Sequence, residues 1–303
     1  MNTPALLLIG FNRPELLKKR LEEISKMEIT ALYLSLDGGN ESHTPSMYQL
    51  LEYSTEIFSK IADFQVIHRN SNLGLTKHIT ESIAAVFDKY NSVIVIEDDI
   101  VLSKNTYLNL TKGLQYLELN NLLGTVSGTS PFSAKSNNLI GNRYRKSIYF
   151  SCWGWGCNKS TWDKYDANLS ADNLEESLNQ SSTWRKLSKF QKKIWLARFF
   201  RVQMNPNYTW DLQMQYASFI NDFHNLLPYF RFTNNEGFND SRASHTKGKK
   251  PSWLNPSSLS EDIIEFYNLS KISNSFFKFF DSLTIAGDAK IISWLNRLRK
   301  RIS

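Results

Sequence analysis

No stretch of the 303-residue sequence approaches the roughly 18 consecutive apolar residues that a membrane-spanning helix requires. Cysteine is nearly absent. Cys152 and Cys157 supply neither a disulfide framework nor, by themselves, a zinc site, and both read as small buried hydrophobes. There is no internal repeat and no low-complexity tract. No basic segment or small-residue cleavage site precedes the apolar run Ala5–Ile9, so no secretory signal is expected and a cytoplasmic protein is. Acid is missing from the last 14 residues, which hold Lys290, Arg297, Arg299, Lys300 and Arg301. Removing those five from the 36 basic residues leaves 31 against 29 acidic, so the net charge of +7 belongs mainly to this tail. A nearly neutral body excludes nucleic acid as the expected partner.

Hydrophobic residues make up 41% and charged residues 21%, enough for one large or two modest folded domains. The first 100 residues alternate β-rich runs with helical patterns. Strands are predicted at Ala5–Ile9, Ala31–Leu36, Phe64–His68 and Val93–Ile96, with helices after Pro14, over Ser46–Ile61 and from Leu75 to Phe87. This alternation predicts an α/β fold with a mostly parallel sheet flanked by helices. In such sheets ligands bind beyond the carboxyl ends of the strands. The polar residues after each strand should therefore meet at one crevice: Asn12 and Arg13, Asp37, Arg69, and Asp98 with Asp99. The second half is aromatic and helical, with helices predicted at Thr183–Arg201 and Asp211–Asn221. A loop-like stretch is expected from Thr233 to Pro256.

Glu97-Asp98-Asp99 directly follows an apolar strand. Three adjacent carboxylates at a sheet edge repel one another unless a cation compensates, and carboxylate oxygens suit Mg²⁺ or Mn²⁺. An acidic turn that starts the next helix is the plainer alternative; the predicted crevice favours metal. Asp37 before Gly38 has a turn-forming alternative. Arg13 at a helix start is unfavourably placed for a cation unless it has an anionic partner. Arg69 with Asn70–Gly74 fits a loop that turns a guanidinium and backbone N–H groups towards a diphosphate, with Lys77 and His78 as minor additions. Trp153-Gly154-Trp155-Gly156 suits either a sugar platform or core packing at a bend. Asp211 is the candidate general base, with a helix N-cap role as its alternative and Asp222 and Asp240 as rivals.

Taken in order, these motifs resemble GT-A glycosyltransferases, most of all the N-acetylglucosaminyltransferase I family and its bacterial relatives. The matching pieces are Phe11-Asn-Arg-Pro14, Asp37-Gly38, Asn70-Ser-Asn-Leu-Gly74, Val93 to Ile100, Trp153-Gly-Trp-Gly156, Trp210-Asp211 and Asn235-Glu-Gly-Phe238 leading to Ser244-His245. Together they span about residues 4–246. The resemblance implies an inverting, metal-dependent transfer from a nucleotide-diphosphate sugar, UDP-linked by preference, to a glycan or lipid-linked acceptor in surface polysaccharide synthesis. It assigns Mn²⁺ (or Mg²⁺) to Asp99, with His245 as a further ligand or diphosphate contact. Glu97 and Asp98 fall near the donor sugar and ribose, Asp37 beside the base and Arg13 beside the phosphates. Asp211 becomes the base, and Trp153, Gly154 and Trp155 the sugar-binding tract.

The expected organisation is a transferase domain over 1–250, with a nucleotide half (1–100) and an acceptor half (101–250), followed by a helical basic tail over 257–303. In that tail Ile291, Trp294, Leu295, Leu298 and Ile302 share one helical face with cations mostly opposite, a pattern suited to an anionic membrane surface. Packing on the body is the alternative. A sugar nucleotidyltransferase is a second enzyme reading, though no Gly-rich loop follows the first strand. An inactive carbohydrate- or membrane-binding scaffold is the non-enzyme reading, distinguished by lack of metal-dependent nucleotide binding.

Overall fold

The computed structural model describes residues 3–132, 143–238, 240, 242, 259–266 and 281. Its centre is an eight-stranded mixed sheet with helices on both faces. Strands β1 (Ala5–Gly10), β2 (Ala31–Leu36) and β4 (Ser92–Glu97) are almost wholly buried, as their unbroken apolar runs require of strands covered on two sides. Each buried Leu or Ile there contributes about 1.5–3 kcal/mol. β3 (Asp63–His68) is half-exposed because it forms one edge.

The order is β3-β2-β1-β4-β8-β6-β9-β7, where β6 is Thr125–Ser127, β7 Tyr144–Ser147, β8 Trp155–Asn158 and β9 Asn225–Pro228. The four strands from the first 100 residues run parallel. β8 is antiparallel to both β4 and β6, and β7 to β9, whereas β6 and β9 are parallel. The sheet is therefore mainly parallel and continuous across both halves of the sequence.

Helices α1 (Pro14–Ile24), α2 (Pro45–Ile57) and α3 (Leu75–Phe87) begin where Pro14, Pro45 and Gly74 put them. α4 (Thr106–Leu119) packs beside β6 and β8. The short α5 (Lys159–Trp162), α6 (Leu174–Gln180) and α7 (Ser182–Arg185) lead to α8 (Lys189–Met204) and α9 (Asp211–Ile220). The single helix predicted over 183–201 is split, because Ser188 and Gln191 form a capping box that starts α8 afresh.

Part of the stretch predicted as loop is a strand. β10 (Thr233–Asn235) pairs antiparallel with β5 (Ile100–Leu102), and Glu236 N–H then donates to the Asp99 carbonyl at 2.8 Å. Residues 259–266 lie along α4: Asn109 donates to the Asp262 carbonyl at 2.8 Å and accepts from Ile264 N–H at 2.8 Å, while Phe266 packs on Tyr144. Asp281 is buried against Arg145 and accepts from Ser147 at 3.0 Å. These portions of the expected tail pack on the body. His245 and the face from Ile291 to Ile302 lie outside the described residues. Among the described residues no helix is long and apolar enough to cross a membrane.

Candidate functional site

A cleft of about 480 Å³ opens at the carboxyl ends of β1, β2 and β4. It gathers Arg13, Asp37, Gly74, Glu97, Asp98, Asp99, Trp153 and Asp211, residues scattered over some two hundred positions of sequence. Geometry of the parallel sheet explains the meeting: each strand ends on the same side, so each following turn faces one crevice.

Arg13 starts α1 without capping it through its side chain. Its guanidinium instead grips the carboxylate cluster. Nε donates to Asp98 Oδ2 at 3.1 Å, one terminal nitrogen to Asp98 Oδ1, and the same nitrogen to Asp99 Oδ2 at 3.3 Å. Among the described residues Arg13 is the one cation paired with this group of acids, and one does not balance four. Glu97 receives no hydrogen bond from any described side chain, and desolvation together with Asp99, Asp98 and Asp211 pushes it up to about 8. Burial raises Asp98 to about 7 despite Arg13, and Asp99 is raised for the same reason. The fold thus holds more carboxyl groups at the end of β4 than its arginine can keep ionised.

That surplus fits a divalent cation of the kind that takes one or two protein carboxylates and completes its shell with water and substrate phosphate. Asp99, bound to Arg13 only by the longer contact, is the available ligand, with Asp98 beside it. Among the described residues no three His, Cys, Asp or Glu side chains form an all-protein metal cage.

Asp37 follows the turn-forming alternative in its bonding. Oδ1 accepts from Gly38 N–H at 2.9 Å and Leu73 N–H at 2.8 Å, and Oδ2 from Gly74 N–H at 3.1 Å. It thereby ties the end of β2 to the 72–74 loop while still lining the cleft. Gly38 is needed beneath that loop, since a Cβ there would sit 2.5 Å from the Arg69 carbonyl oxygen and the Ser71 backbone. Gly74, at φ +77°, turns the chain into α3.

Three sequence candidates are placed away from the cleft. Arg69 does not line the cleft and pairs with Glu81 of α3 at 3.4 Å. Trp155 is fully buried, stacked on Trp210 with ring centres 5.4 Å apart and edge-on to Phe150 at 4.9 Å. Its alternation along β8 points it into the core, so it is no sugar platform. Gly154, at φ +69°, makes the bend between the two tryptophans and abuts Thr233. Trp153 alone of the pair faces the cleft, edge-on to Phe238 at 6.1 Å.

Asp211 opens α9 at the cleft wall, and Thr209 Oγ1 donates to its Oδ1. The rivals are committed elsewhere. Asp222 accepts from Ser181 Oγ at 2.8 Å and from Thr183 N–H at 2.7 Å, and these bonds hold it well below the usual carboxylate range. Asp240 pairs with Arg242 at 3.0 Å. A second, smaller cavity of about 210 Å³ shares Cys152, Trp153 and Asp211 with the cleft and continues past Phe150, Ser151, Trp195 and Gln215. Asp211 stands on the wall common to both.

Sequence reasoning gave no site role to Thr209 or Arg242, on loops with no periodic signal, nor to Asn235, which it had only as part of a motif and which ends β10. It gave His78 little weight, yet His78 is buried under the cleft, bonded through Nε2 to Ser35 Oγ at 2.9 Å. Burial lowers it from 6.5 to about 4, against the pull of Asp37. A depressed histidine stabilises the fold in its neutral form, so that stability is lost as pH falls from 6.5 towards 4, by about 3 kcal/mol in full. His78→Gln, which keeps a polar group near Nε2, should remove this dependence in denaturant melts taken across that range. Parallel stability curves for the two proteins would disprove the assignment.

The geometry defines an α/β protein with a carboxylate-floored cleft of about 480 Å³ at the carboxyl edge of its sheet. No family model matches the chain, and no curated protein does, so the resemblance to the N-acetylglucosaminyltransferase I family rests on sequence motifs alone. Among solved structures, the chain is similar to a mannosyltransferase from Pyrobaculum calidifontis in complex with GDP-Man and Mn²⁺, at 11% identity and TM-score 0.43, covering 72% of this chain and 70% of that one. It is also similar to GalNAc-T7 with UDP, GalNAc and Mn²⁺, at 12% identity and TM-score 0.45, over 74% of this chain but 42% of that one. A CMP:2-keto-3-deoxy-manno-octonic acid synthetase complexed with CTP matches at 12% identity and TM-score 0.37, over 59% and 84%. At such scores function has to be read from the site itself.

Proposed function

We propose that this chain is a metal-dependent, inverting glycosyltransferase that moves a sugar from a nucleoside-diphosphate donor, UDP-linked by preference, to a hydroxyl of a glycan or lipid-linked acceptor. One observation carries the reading: Asp211 stands on the wall shared by the carboxylate-floored cleft and a second cavity. A base in that position reaches an acceptor in the smaller cavity and a donor in the larger.

In this reading the donor diphosphate lies over the end of β4, with Arg13 and Arg242 as the cations of the cleft. Asp99, with Asp98 beside it, would hold Mn²⁺ or Mg²⁺, which when bound offsets the charge developing on the leaving diphosphate. Thr209 fixes one oxygen of Asp211. Asp211 takes the proton of the acceptor hydroxyl as that oxygen bonds to the anomeric carbon. The bond from that carbon to the diphosphate oxygen breaks on the opposite face, and its electron pair leaves with the nucleotide. Trp153 offers an apolar face to a sugar at the junction of the two cavities.

A thermal-shift panel of nucleotide sugars with and without Mn²⁺ tests this. A cognate donor at a hundred times its Kd should stabilise the protein by about 2.7 kcal/mol, and only with the ion present. Asp99→Asn should abolish the shift. A panel in which no donor acts, or a shift that survives Asp99→Asn, would reject the proposal.

A further inference from the structure

From Ser177 to Trp210 the sequence contains no Asp or Glu, yet it holds seven lysines and arginines between Arg185 and Arg201. Five of them are on α8. This helix buries Trp195, Phe199 and Val202 against the core formed with α9. Its opposite side brings Lys189, Lys193, Phe200, Arg201 and Met204 together, at the three- and four-residue steps that align side chains along one helical face. Phe200 is 49% exposed and Met204 86%. Large apolar side chains thus share one solvent-facing ridge with cations that form no ion pair among the described residues, Arg201 lying over the Tyr208 ring at 4.1 Å. Its acidic neighbour is Glu175 of α6, across a surface groove lined by Lys189, Lys192, Leu196 and Phe200.

The geometry points to an anionic lipid surface as the partner of α8. Two features act together. The amines match lipid phosphates, while Phe200 and Met204 gain only if they enter the apolar boundary beneath those headgroups. A nucleic acid would satisfy the charge and leave the apolar pair in water. An apolar protein patch would do the reverse. The acid-free segment from Lys290 to Ser303 carries charge of the same sign, so it does not neutralise α8. Placement gives the contact a use that rests on the proposed transferase reading: Trp195, on the far side of the same helix, lines the cavity it shares with Asp211. A bilayer held at α8 brings lipid-linked acceptors to the neighbourhood of that cavity.

The test is co-sedimentation of the full chain, without donor, on vesicles of phosphatidylcholine alone or mixed in equal parts with phosphatidylglycerol. Capture is expected only on the mixed vesicles. Lys189→Gln and Lys193→Gln should each weaken it about fivefold. Phe200→Ser with Met204→Ser should weaken it about tenfold and leave binding to polyuridylate unchanged. All these positions are on the surface, so the thermal melt and any nucleotide-induced shift should stay as in the parent, which separates failure here from failure of the transferase reading. Three results would each overturn the inference. These are equal capture on neutral vesicles, undiminished capture of the Phe200/Met204 variant, and loss of capture on replacing Arg297, Arg299, Lys300 and Arg301 with Gln while the α8 variants still bind.

Discussion

Asp211→Asn is expected to lower turnover about a thousandfold while leaving donor binding intact. The substitution keeps the size of the side chain and an oxygen able to accept from Thr209 Oγ1, so the start of α9 should hold its shape. It removes the one function an amide cannot supply, which is taking the acceptor proton as the new bond forms. The distinguishing measurement is donor-induced stabilisation in Mn²⁺ alongside initial rates. Unchanged stabilisation with collapsed turnover fits a base on the wall between two cavities. Turnover within a few-fold of the parent would show that the acceptor proton leaves by another route. Loss of both would show that Asp211 instead supports the donor site.

A second large effect is expected at Arg13. Its guanidinium is 12% exposed and faces Asp98 and Asp99, whose side chains are 3% and 9% exposed. Removing one partner of such a buried pair typically costs about 3–5 kcal/mol, because the other charge is left without compensation. The acids can escape part of that cost by taking up a proton. Asp98 already stands at about 7 with Arg13 present, far above its ordinary 3.8. A carboxylate whose folded-state pKa is raised loses stability as pH climbs from its unfolded value through its folded one. Arg13→Met should therefore be only mildly destabilised below pH 7, where Asp98 is protonated in both proteins, and strongly destabilised above it. Divalent cation should restore more stability to the variant than to the parent, since it supplies charge that the arginine no longer gives. Urea melts below and above pH 7, with and without Mn²⁺, read out both effects. A deficit independent of pH would mean that Arg13 acts there by packing alone.

The first hundred residues were legible because each of their parts is local. Unbroken apolar runs at Ala5–Ile9, Ala31–Leu36 and Val93–Ile96 have no stable place except in strands covered on both faces, and Pro14 admits a helix start but not a helix interior. The second half was less so. Thr233–Asn235 has no periodicity to mark it, and becomes a strand only because β5 offers an edge beside it. Two tryptophans one residue apart look equivalent in sequence. The bend at Gly154 and the pairing of β8 send Trp155 into the core and leave Trp153 on the cleft.

The sequence by itself determined the alternating α/β plan, the carboxyl-edge position of Asp37, Asp98 and Asp99, and the concentration of acid after the fourth strand. These follow from side-chain period and from strand direction, which a linear chain carries within a few residues. Only the tertiary structure decided which cation meets those acids, that Arg69 pairs with Glu81, that Asp211 rather than Asp222 or Asp240 reaches the cleft, and that the cations of α8 share a face with Phe200 and Met204. Each of these depends on distances between segments far apart in the chain, and such distances are fixed only when the whole core packs.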